Sequence, residues 1–250
     1  MTIKEGDFIK ISYTGKMEDG TVFDTTNEEA AKVHKLYNPN RRYGGDVIII
    51  GVNQIIAGLE EDIKQHDVGY EGTISIPPEK AFGVRDPQLV KALPMKKFEQ
   101  QPQVGMPIEI NGQVGTVVKV LGRHASVDFN IPMAGQTITY DYKIDAALEN
   151  LQDKAVGLST LYTGMELDID IDGTVAKFNV PLEFNYSRHW ITSKAQMALD
   201  LLKYTDLTEV RYVETYTKDL LTKTADGMED IEELNENIAR EATEPVAVEE

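Results

Sequence analysis

The 250-residue sequence predicts an α+β fold, rich in strands and with few helices, arranged as three folded parts and a tail. Several short segments alternate apolar and polar residues, which is the pattern of half-buried strands. The dipeptide Asn111-Gly112 separates two such segments and is typical of a tight β-hairpin turn. Apolar residues recur at helical spacing in only a few stretches, so few helices are expected.

The first part is predicted to be a set of strands around one short helix. Asn53 stands where it can cap that helix, which is expected to run to about Gln65. Residues 27–46 are polar and carry several chain breakers, which favours a long loop in which a helical turn is allowed. The predicted strands are Phe8–Tyr13, Thr21–Asp24, Val47–Ile50 and Gly72–Ile76.

The pattern changes at about Asn150. Before it, strands are predicted at Met106–Ile110, Gln113–Leu121, His124–Phe129 and Ile138–Leu148. After it, a hairpin is predicted from Glu166–Ile171 and Thr174–Phe184. Ser193 is expected to cap a helix that ends near Tyr204, and a strand is expected at Thr208–Tyr216.

Composition excludes several classes of function. The formal net charge of −17 disfavours binding to nucleic acid or to anionic membranes. The chain has no cysteine, so disulfides, thiolate metal sites and cysteine nucleophiles are absent. The first residues lack the pattern of a signal peptide, and the strongest apolar run, Val47–Ile50, is too short to span a bilayer. We therefore expect a soluble, cytoplasmic protein.

The charge is distributed unevenly. Residues 226–250 hold ten acidic residues and one base, Arg240, and they contain no aromatic residue. This segment is predicted to be a solvated acidic tail, and the alternative is a short helix over about 228–240. Residues 84–128 have six basic and four acidic residues, so they form the one part of the chain with a net positive charge.

No metal or cofactor site is predicted. The four histidines are scattered along the chain without short-spacing partners. The segment Asp168–Gly173 resembles the start of a calcium-binding loop, but Asn179 occupies the position that needs a bidentate glutamate. Its alternating isoleucines favour a strand that runs into a turn.

Four short motifs follow one another in a specific order. They are residues 11–15 with 20–24 (ISYTG and GTVFD), 51–60 (GVNQIIAGLE), 81–83 (AFG) and 134–140 (AGQTITY). Together they resemble the FKBP-type peptidyl-prolyl cis-trans isomerases over about residues 1–150. The insertion between Gly83 and Asn130 is similar to the insert-in-flap chaperone domain of SlyD-type members. The long C-terminal extension is similar to that of the long archaeal members.

The resemblance implies a division of the chain and a fold for each part. It implies an isomerase domain whose antiparallel sheet wraps on a short helix, with a small β-rich insert and a C-terminal α+β domain. It also implies a homodimer through residues 151–250, because such extensions are associated with dimerisation. The implied parts are 1–83 with 129–150 (isomerase), 84–128 (insert-in-flap), 151–225 (C-terminal domain) and 226–250 (acidic tail).

The resemblance also implies an active site without a nucleophile or a cofactor. A dry aromatic pocket favours the twisted, less polar transition state of an X–Pro amide over the planar ground state. Asp24 is implied at the rim, Ile56 as a backbone N–H donor, and Leu59 as a floor where many members have tryptophan. The alternative is that these residues form an ordinary core. The implied catalytic residues are Tyr13, Phe23, Asp24, Ile55, Ile56, Leu59, Ala81, Phe82 and Tyr140.

The insert is predicted to hold unfolded or partly folded polypeptides that contain X–Pro bonds. Methionine and other apolar side chains suit such a promiscuous surface, although the same residues could form the insert's own core. One alternative function is a folding chaperone or binding module with weak or no isomerase activity. Another is an assembly protein that acts through residues 151–250. The predicted client-binding residues are Leu89, Leu93, Met95, Phe98 and Met106.

Overall fold

A computed structural model describes residues 2–98 and 100–217. The strands are β1 (Phe8–Lys16), β2 (Val22–Thr25), β3 (Asp46–Ile49), β4 (Glu71–Ile76), β5 (Val90–Pro94), β6 (Pro107–Ile110), β7 (Gln113–Leu121), β8 (His124–Asp128), β9 (Ile138–Leu148), β10 (Asp168–Asp172), β11 (Val175–Asn179) and β12 (Glu209–Val213). The helices are α1 (Glu28–Val33), α2 (Ala57–Ile63), α3 (Leu151–Thr163) and α4 (Arg188–Tyr204). The α+β class is confirmed.

The first sheet is antiparallel and has five strands, in the order β2-β1-β9-β4, with β3 also paired to β1. Strand β1 uses one edge twice, because β3 pairs with its first half and β2 with its second half. Its other edge pairs with β9 from Phe8 to Lys16. Helix α2 buries Leu59 and Ile63 against this sheet. The predicted sheet on a short helix is therefore present.

The insert is a separate four-stranded antiparallel sheet in the order β5-β8-β7-β6. Its hairpin β6–β7 turns at Asn111 and Gly112, whose φ angles are 54° and 76°. Both residues are left-handed, as a type I′ turn requires, so this predicted hairpin is confirmed. The core of the insert is small: Val117, Ala125 and Val127 are its buried residues, with a shell of partly buried apolar side chains.

The C-terminal unit, residues 151–217, packs α3 and α4 on the sheet β10-β11-β12. Strands β11 and β12 are parallel, and α4 lies in the crossover between them. The unit has no core of its own apart from the first sheet, because Phe8, Val47 and Ile49 belong to the same buried cluster as Phe178 and Trp190. The division of the chain into domains stays a prediction, and in the structure the core is continuous across residue 150.

Several sequence-based details are wrong in the C-terminal unit. Helix α3 was not predicted, although Asn150 caps it and Gly164 ends it in the left-handed conformation. Helix α4 begins at Arg188 behind Ser187, which accepts a hydrogen bond from the Trp190 N–H, and not behind Ser193. The strand predicted over Thr174–Phe184 ends at Asn179 and is followed by a 3-10 turn.

One detail also differs in the first part. Asn53 does not cap α2: it has a φ angle of 59°, and the helix begins after Ile56 without a side-chain cap. The segment 27–46 contains the short helix α1, in agreement with the helical turn allowed there, and the Asn27 side chain caps it by accepting a hydrogen bond from the Ala30 N–H at 2.9 Å. The acidic tail and its alternative helix over 228–240 lie outside the described residues. Within the described part of the chain, no helix is long and apolar enough to cross a membrane.

Candidate active site

A cavity of about 590 Å³ opens between the first sheet and the segment that precedes α2. Strands β1, β2 and β9 each supply an aromatic side chain to it, and the segment before α2 supplies one wall. Phe82 and Met133 flank the two chain crossings that lead into and out of the insert. The lining residues are Tyr13, Phe23, Asp24, Asn53, Gln54, Ile55, Ile56, Leu59, Phe82, Met133 and Tyr140.

Four aromatic rings form a continuous chain around the cavity. The ring centroids are 5.6 Å apart for Tyr13 and Tyr140, 5.9 Å for Tyr140 and Phe23, and 5.9 Å for Phe23 and Phe82. All three pairs meet edge to face, which is a favoured geometry for aromatic rings. Gly15 leaves room for this packing, because a Cβ there would lie 2.7 Å from the Phe23 ring. Each aromatic ring of the wall is therefore held in position by contact with its neighbour.

The rim holds a charged network around the Tyr13 hydroxyl. This hydroxyl lies 2.9 Å from Asp24 Oδ2 and 2.9 Å from Asp46 Oδ2. The Arg41 guanidinium joins the two carboxylates, with Nη1 2.6 Å from Asp24 Oδ1 and Nη2 3.2 Å from Asp46 Oδ2. The arrangement follows from the sheet, because β2 and β3 bring Asp24 and Asp46 to the same edge of β1.

The comparisons with known proteins agree with this geometry. The family model described as FKBP-type peptidyl-prolyl cis-trans isomerase matches residues 1–99. A short-type peptidyl-prolyl cis-trans isomerase of Methanocaldococcus jannaschii is 38% identical over 145 residues, which are 57% of this chain and 92% of that protein. The chain belongs to the FKBP-type peptidyl-prolyl cis-trans isomerase family. The resemblance carried by the four motifs is thereby confirmed, and so is the enzyme class.

Other relatives extend the match. The FKBP-type 16 kDa peptidyl-prolyl cis-trans isomerase of Escherichia coli K12 is 26% identical over 158 residues, which are 59% of this chain and 97% of that protein. The isomerase SlyD of Helicobacter pylori J99 is 34% identical over 102 residues, which are 38% of this chain and 55% of that protein. Two further family models match, FKBP26, IF domain, over residues 88–133 and FKBP26_C-terminal over residues 151–217.

The structure brings eight of the nine predicted pocket residues of this isomerase into the cavity lining. The ninth, Ala81, is half-buried and packs against the core of the first sheet. Leu59 is 1% exposed and closes the bottom of the cavity, where the resemblance places a floor. That these residues act in catalysis stays a prediction. Sequence reasoning missed Arg41, Asp46, Gln54 and Met133, of which only Gln54 lies inside a family motif.

The predicted client-binding residues are distributed differently. Leu93, Met95, Phe98 and Met106 pack against the three buried residues of the insert, so each contributes to its core as well as to its surface. Phe98 and Met106 also line a groove of about 370 Å³, together with Ile108 and Ile110. Leu89 is half-buried and precedes β5, outside that core cluster.

No group of three or more histidine or acidic residues that could hold a metal ion is present among residues 2–98 and 100–217.

Burial changes the pKa values of two titratable groups at the rim of the site. Burial raises the pKa of Asp46 and of the Tyr13 hydroxyl, and nearby Asp24 raises both further. The Tyr13 hydroxyl has one proton and two carboxylate neighbours. A raised Asp46 pKa allows that acid to take up a proton and donate to Tyr13 as the pH falls.

This arrangement makes the stability of the pocket depend on pH. Because the folded-state pKa of Asp46 is raised, its carboxylate opposes folding above that pKa, and the opposition disappears as the acid is protonated. We expect Asp46→Asn to be more stable than the parent at pH 7 and to lose this advantage towards pH 4. Urea unfolding of both proteins at the two pH values measures this difference in the free energy of unfolding. A variant that is less stable at pH 7 would mean that the Arg41 ion pair outweighs burial.

Proposed function

We propose that this enzyme isomerises X–Pro bonds in the aromatic cavity while the insert holds the unfolded polypeptide that carries them. The observation that carries the proposal is the wall of four aromatic side chains that lines the cavity, in a chain whose insert has a groove with several apolar side chains. Isomerisation breaks no bond, so the site needs apolar walls and a few oriented polar groups. The cavity offers both.

Catalysis follows from the difference between ground state and transition state. The planar X–Pro amide has a rotational barrier of about 18–20 kcal/mol, and each reduction of about 1.4 kcal/mol raises the rate tenfold. The twisted amide has lost its resonance and is less polar, so the rings of Tyr13, Phe23 and Tyr140 stabilise it relative to the planar form. Because no proton leaves, Asp24 acts here by orienting the Tyr13 hydroxyl, not as a base.

One backbone donor is available for the substrate carbonyl. The Ile56 N–H, at the start of α2, donates to no other described residue. Ile56 and Leu59 both line the cavity. We propose that this N–H holds the carbonyl that precedes proline while the proline ring enters the aromatic cavity.

The insert is suited to hold apolar segments. Its groove is lined by the half-buried side chains of Phe98, Met106, Ile108 and Ile110, together with polar residues such as Lys97 and Glu109. The surrounding segment 84–128 carries a net positive charge in an acidic protein. The two chain crossings that join the insert to the first sheet are bonded to each other: the Asp86 N–H donates to Asn130 Oδ1 at 2.8 Å, and Arg85 pairs with Asp128 at 2.7 Å. A polypeptide bound in the groove is tethered to the chain that carries the cavity, which raises its local concentration there.

The test is to remove the insert without disturbing the cavity. The Phe129 N–H donates to the Leu89 carbonyl at 3.0 Å, which is the contact that a two-residue turn makes, so Asn-Gly can replace residues 90–128. We expect kcat/KM for an X–Pro tetrapeptide to change less than about threefold. For the proline-limited refolding of a protein we expect a loss of about a hundredfold.

Point variants of the intact insert provide the matched control. Ile110 lies in the groove, so Ile110→Ser should reduce activity on the protein substrate. Leu121 is 69% exposed and lies outside the groove, so Leu121→Ser should not reduce it. Equal losses on both substrates after excision, or no loss on the protein, would contradict the proposed role of the insert. Suppression of aggregation by the intact protein without measurable isomerase activity would favour the chaperone alternative.

Homodimerisation through residues 151–250 stays a prediction. The observation that favours it is an apolar stripe on α4, where Ile191 and Leu199 are 55% and 60% exposed and Leu202 lies one turn further on. We propose that this stripe faces a second copy of the chain. Sedimentation of the full chain and of Leu199→Glu tests the proposal, and a monomeric parent would overturn it.

A further inference from the structure

A wall of the cavity is hydrogen-bonded to the C-terminal unit. Gln54 lies in that wall, directly before Ile55, and its side-chain Oε1 accepts a hydrogen bond from the Ile49 N–H at 2.7 Å. Because a backbone N–H can only donate, this contact fixes the orientation of the amide. The Gln54 Nε2 group therefore faces α3 and α4, where it lies 3.4 Å from Tyr162 Oη and 3.3 Å from Asp200 Oδ2.

Asp200 is an unusual residue for its place in α4. It is 4% exposed, and its carboxylate accepts from Tyr162 Oη at 2.7 Å and from Gln196 Nε2 at 2.8 Å, in addition to Gln54. Burial and the bond to Asp200 raise the pKa of Tyr162 to about 12, so its hydroxyl remains a donor near neutral pH. A buried carboxylate is costly unless it is well hydrogen-bonded, and an apolar residue there would avoid that cost. The acid thus supplies one directed bond to the cavity wall, through Gln54, and a second link through Tyr162.

The opposite side of the cavity is also tied to the C-terminal unit. The Arg42 N–H donates to the Gly164 carbonyl at 3.0 Å, and the Arg42 side chain pairs with Glu166. Its neighbour Arg41 holds the rim through Asp24 and Asp46. The loop that carries Arg41 and Arg42 is therefore bonded to the segment between α3 and β10. The Asn53–Ile56 wall is bonded, through Gln54, to α3 and α4.

We propose that Asp200 is a positioning residue for isomerisation, acting through Gln54 on the Ile55–Ile56 wall. The Tyr162 hydroxyl, which accepts from Gln54 and donates to Asp200, links the two side chains. The C-terminal unit then takes part in the reaction because it positions the Ile56 N–H and the Ile55 side chain. The proposal rests on the proposed function for the identity of the cavity. It goes further by assigning a role in catalysis to residues more than a hundred positions away in the chain.

The test is a double-mutant cycle between the two ends of the contact. Asp200→Leu, Gln54→Met and the double variant are assayed on an X–Pro tetrapeptide, with kcat and KM determined separately. We expect each single variant to lower kcat/KM about tenfold, and the double variant to lose no more than either one. Tyr162→Phe, which is a milder change, should give a smaller loss and fold normally.

The control separates positioning from stability. Leu207→Ala removes a buried residue of the same core, beyond α4, and should destabilise the protein while leaving kcat/KM within twofold. In NMR spectra, the amide chemical shifts of Ile55 and Ile56 should change in Asp200→Leu and Tyr162→Phe but not in Leu207→Ala. Additive losses in the cycle, or unmoved resonances, would overturn the proposal. A parent protein without isomerase activity would overturn the proposed function instead. The amide resonances of Ile55 and Ile56 would then still show whether Asp200 positions the cavity wall.

Discussion

Phe8→Ala should lower the free energy of unfolding by about 3–5 kcal/mol, as is usual for removal of a fully buried aromatic side chain. Phe8 is 1% exposed and begins β1, the central strand of the first sheet. Its side chain nevertheless belongs to the cluster that contains Leu158, Phe178 and Trp190 of the C-terminal unit. The substitution should therefore destabilise the isomerase sheet and the C-terminal unit together.

Two signals can follow the two regions separately. Trp190 is the single tryptophan, and its burial in the C-terminal unit makes its fluorescence a probe of that unit. Peptide isomerase activity reports on the cavity. In urea, the two transitions should coincide in the parent and shift by the same amount in Phe8→Ala. A fluorescence transition that moves while the activity midpoint stays would show that the two regions unfold independently.

The insert provides the matched control for this experiment. Val127→Ala removes part of a buried residue from a small core, whose other buried members among the described residues of that cluster are Val117 and Ala125. Because the insert forms its own sheet, this change should lower its stability and leave both the Trp190 transition and the peptide activity in place. Shifts of all signals by Val127→Ala would mean that the insert and the isomerase sheet unfold as one unit.

The sequence predicted those parts of the site that lie in contiguous motifs or in strongly alternating strands. Strand β9 has the predicted bounds, because its apolar residues Ile138, Tyr140, Tyr142 and Ile144 alternate without interruption. The cavity wall of Ile55 and Ile56 and the floor at Leu59 also lie within one short motif. These residues could be placed because local order in the sequence is enough to define them.

The charged rim could not be predicted in the same way. Arg41 lies in a polar segment without periodicity, and Asp46 is the first residue of β3. They meet Asp24 only because two different strands pair with the same edge of β1. That arrangement is set by long-range pairing, which no local pattern encodes.

Helix α3 was missed because its interior weakens the helical signal. Gly157, Ser159, Thr160 and Thr163 have low helix propensity, and only the caps at Asn150 and Gly164 mark its ends. The structure explains Gly157, since a Cβ there would lie 2.4 Å from Val47 Cγ2 of β3. The helix lacks a side chain at this position because it packs directly on the strand that carries Asp46.

Tyr140→Ala should reduce kcat/KM for an X–Pro peptide by about 10- to 100-fold. Tyr140 is the ring that links Tyr13 to Phe23, so its removal takes away two edge-to-face contacts and opens the middle of the aromatic wall. Water then enters beside the bound amide, and the advantage of the twisted, less polar state is lost. Because the walls also position one another, the change should lower kcat as well as raise KM.

Tyr140→Phe separates the ring from its hydroxyl. Among the described residues the Tyr140 hydroxyl has no hydrogen-bond partner, so phenylalanine keeps both ring contacts and loses no bond within the protein. If the wall acts through its aromatic surface, Tyr140→Phe should retain most of the activity that Tyr140→Ala loses. If both variants lose activity equally, the hydroxyl must contact the substrate, and the pocket then acts through a directed bond at this position instead of an apolar surface.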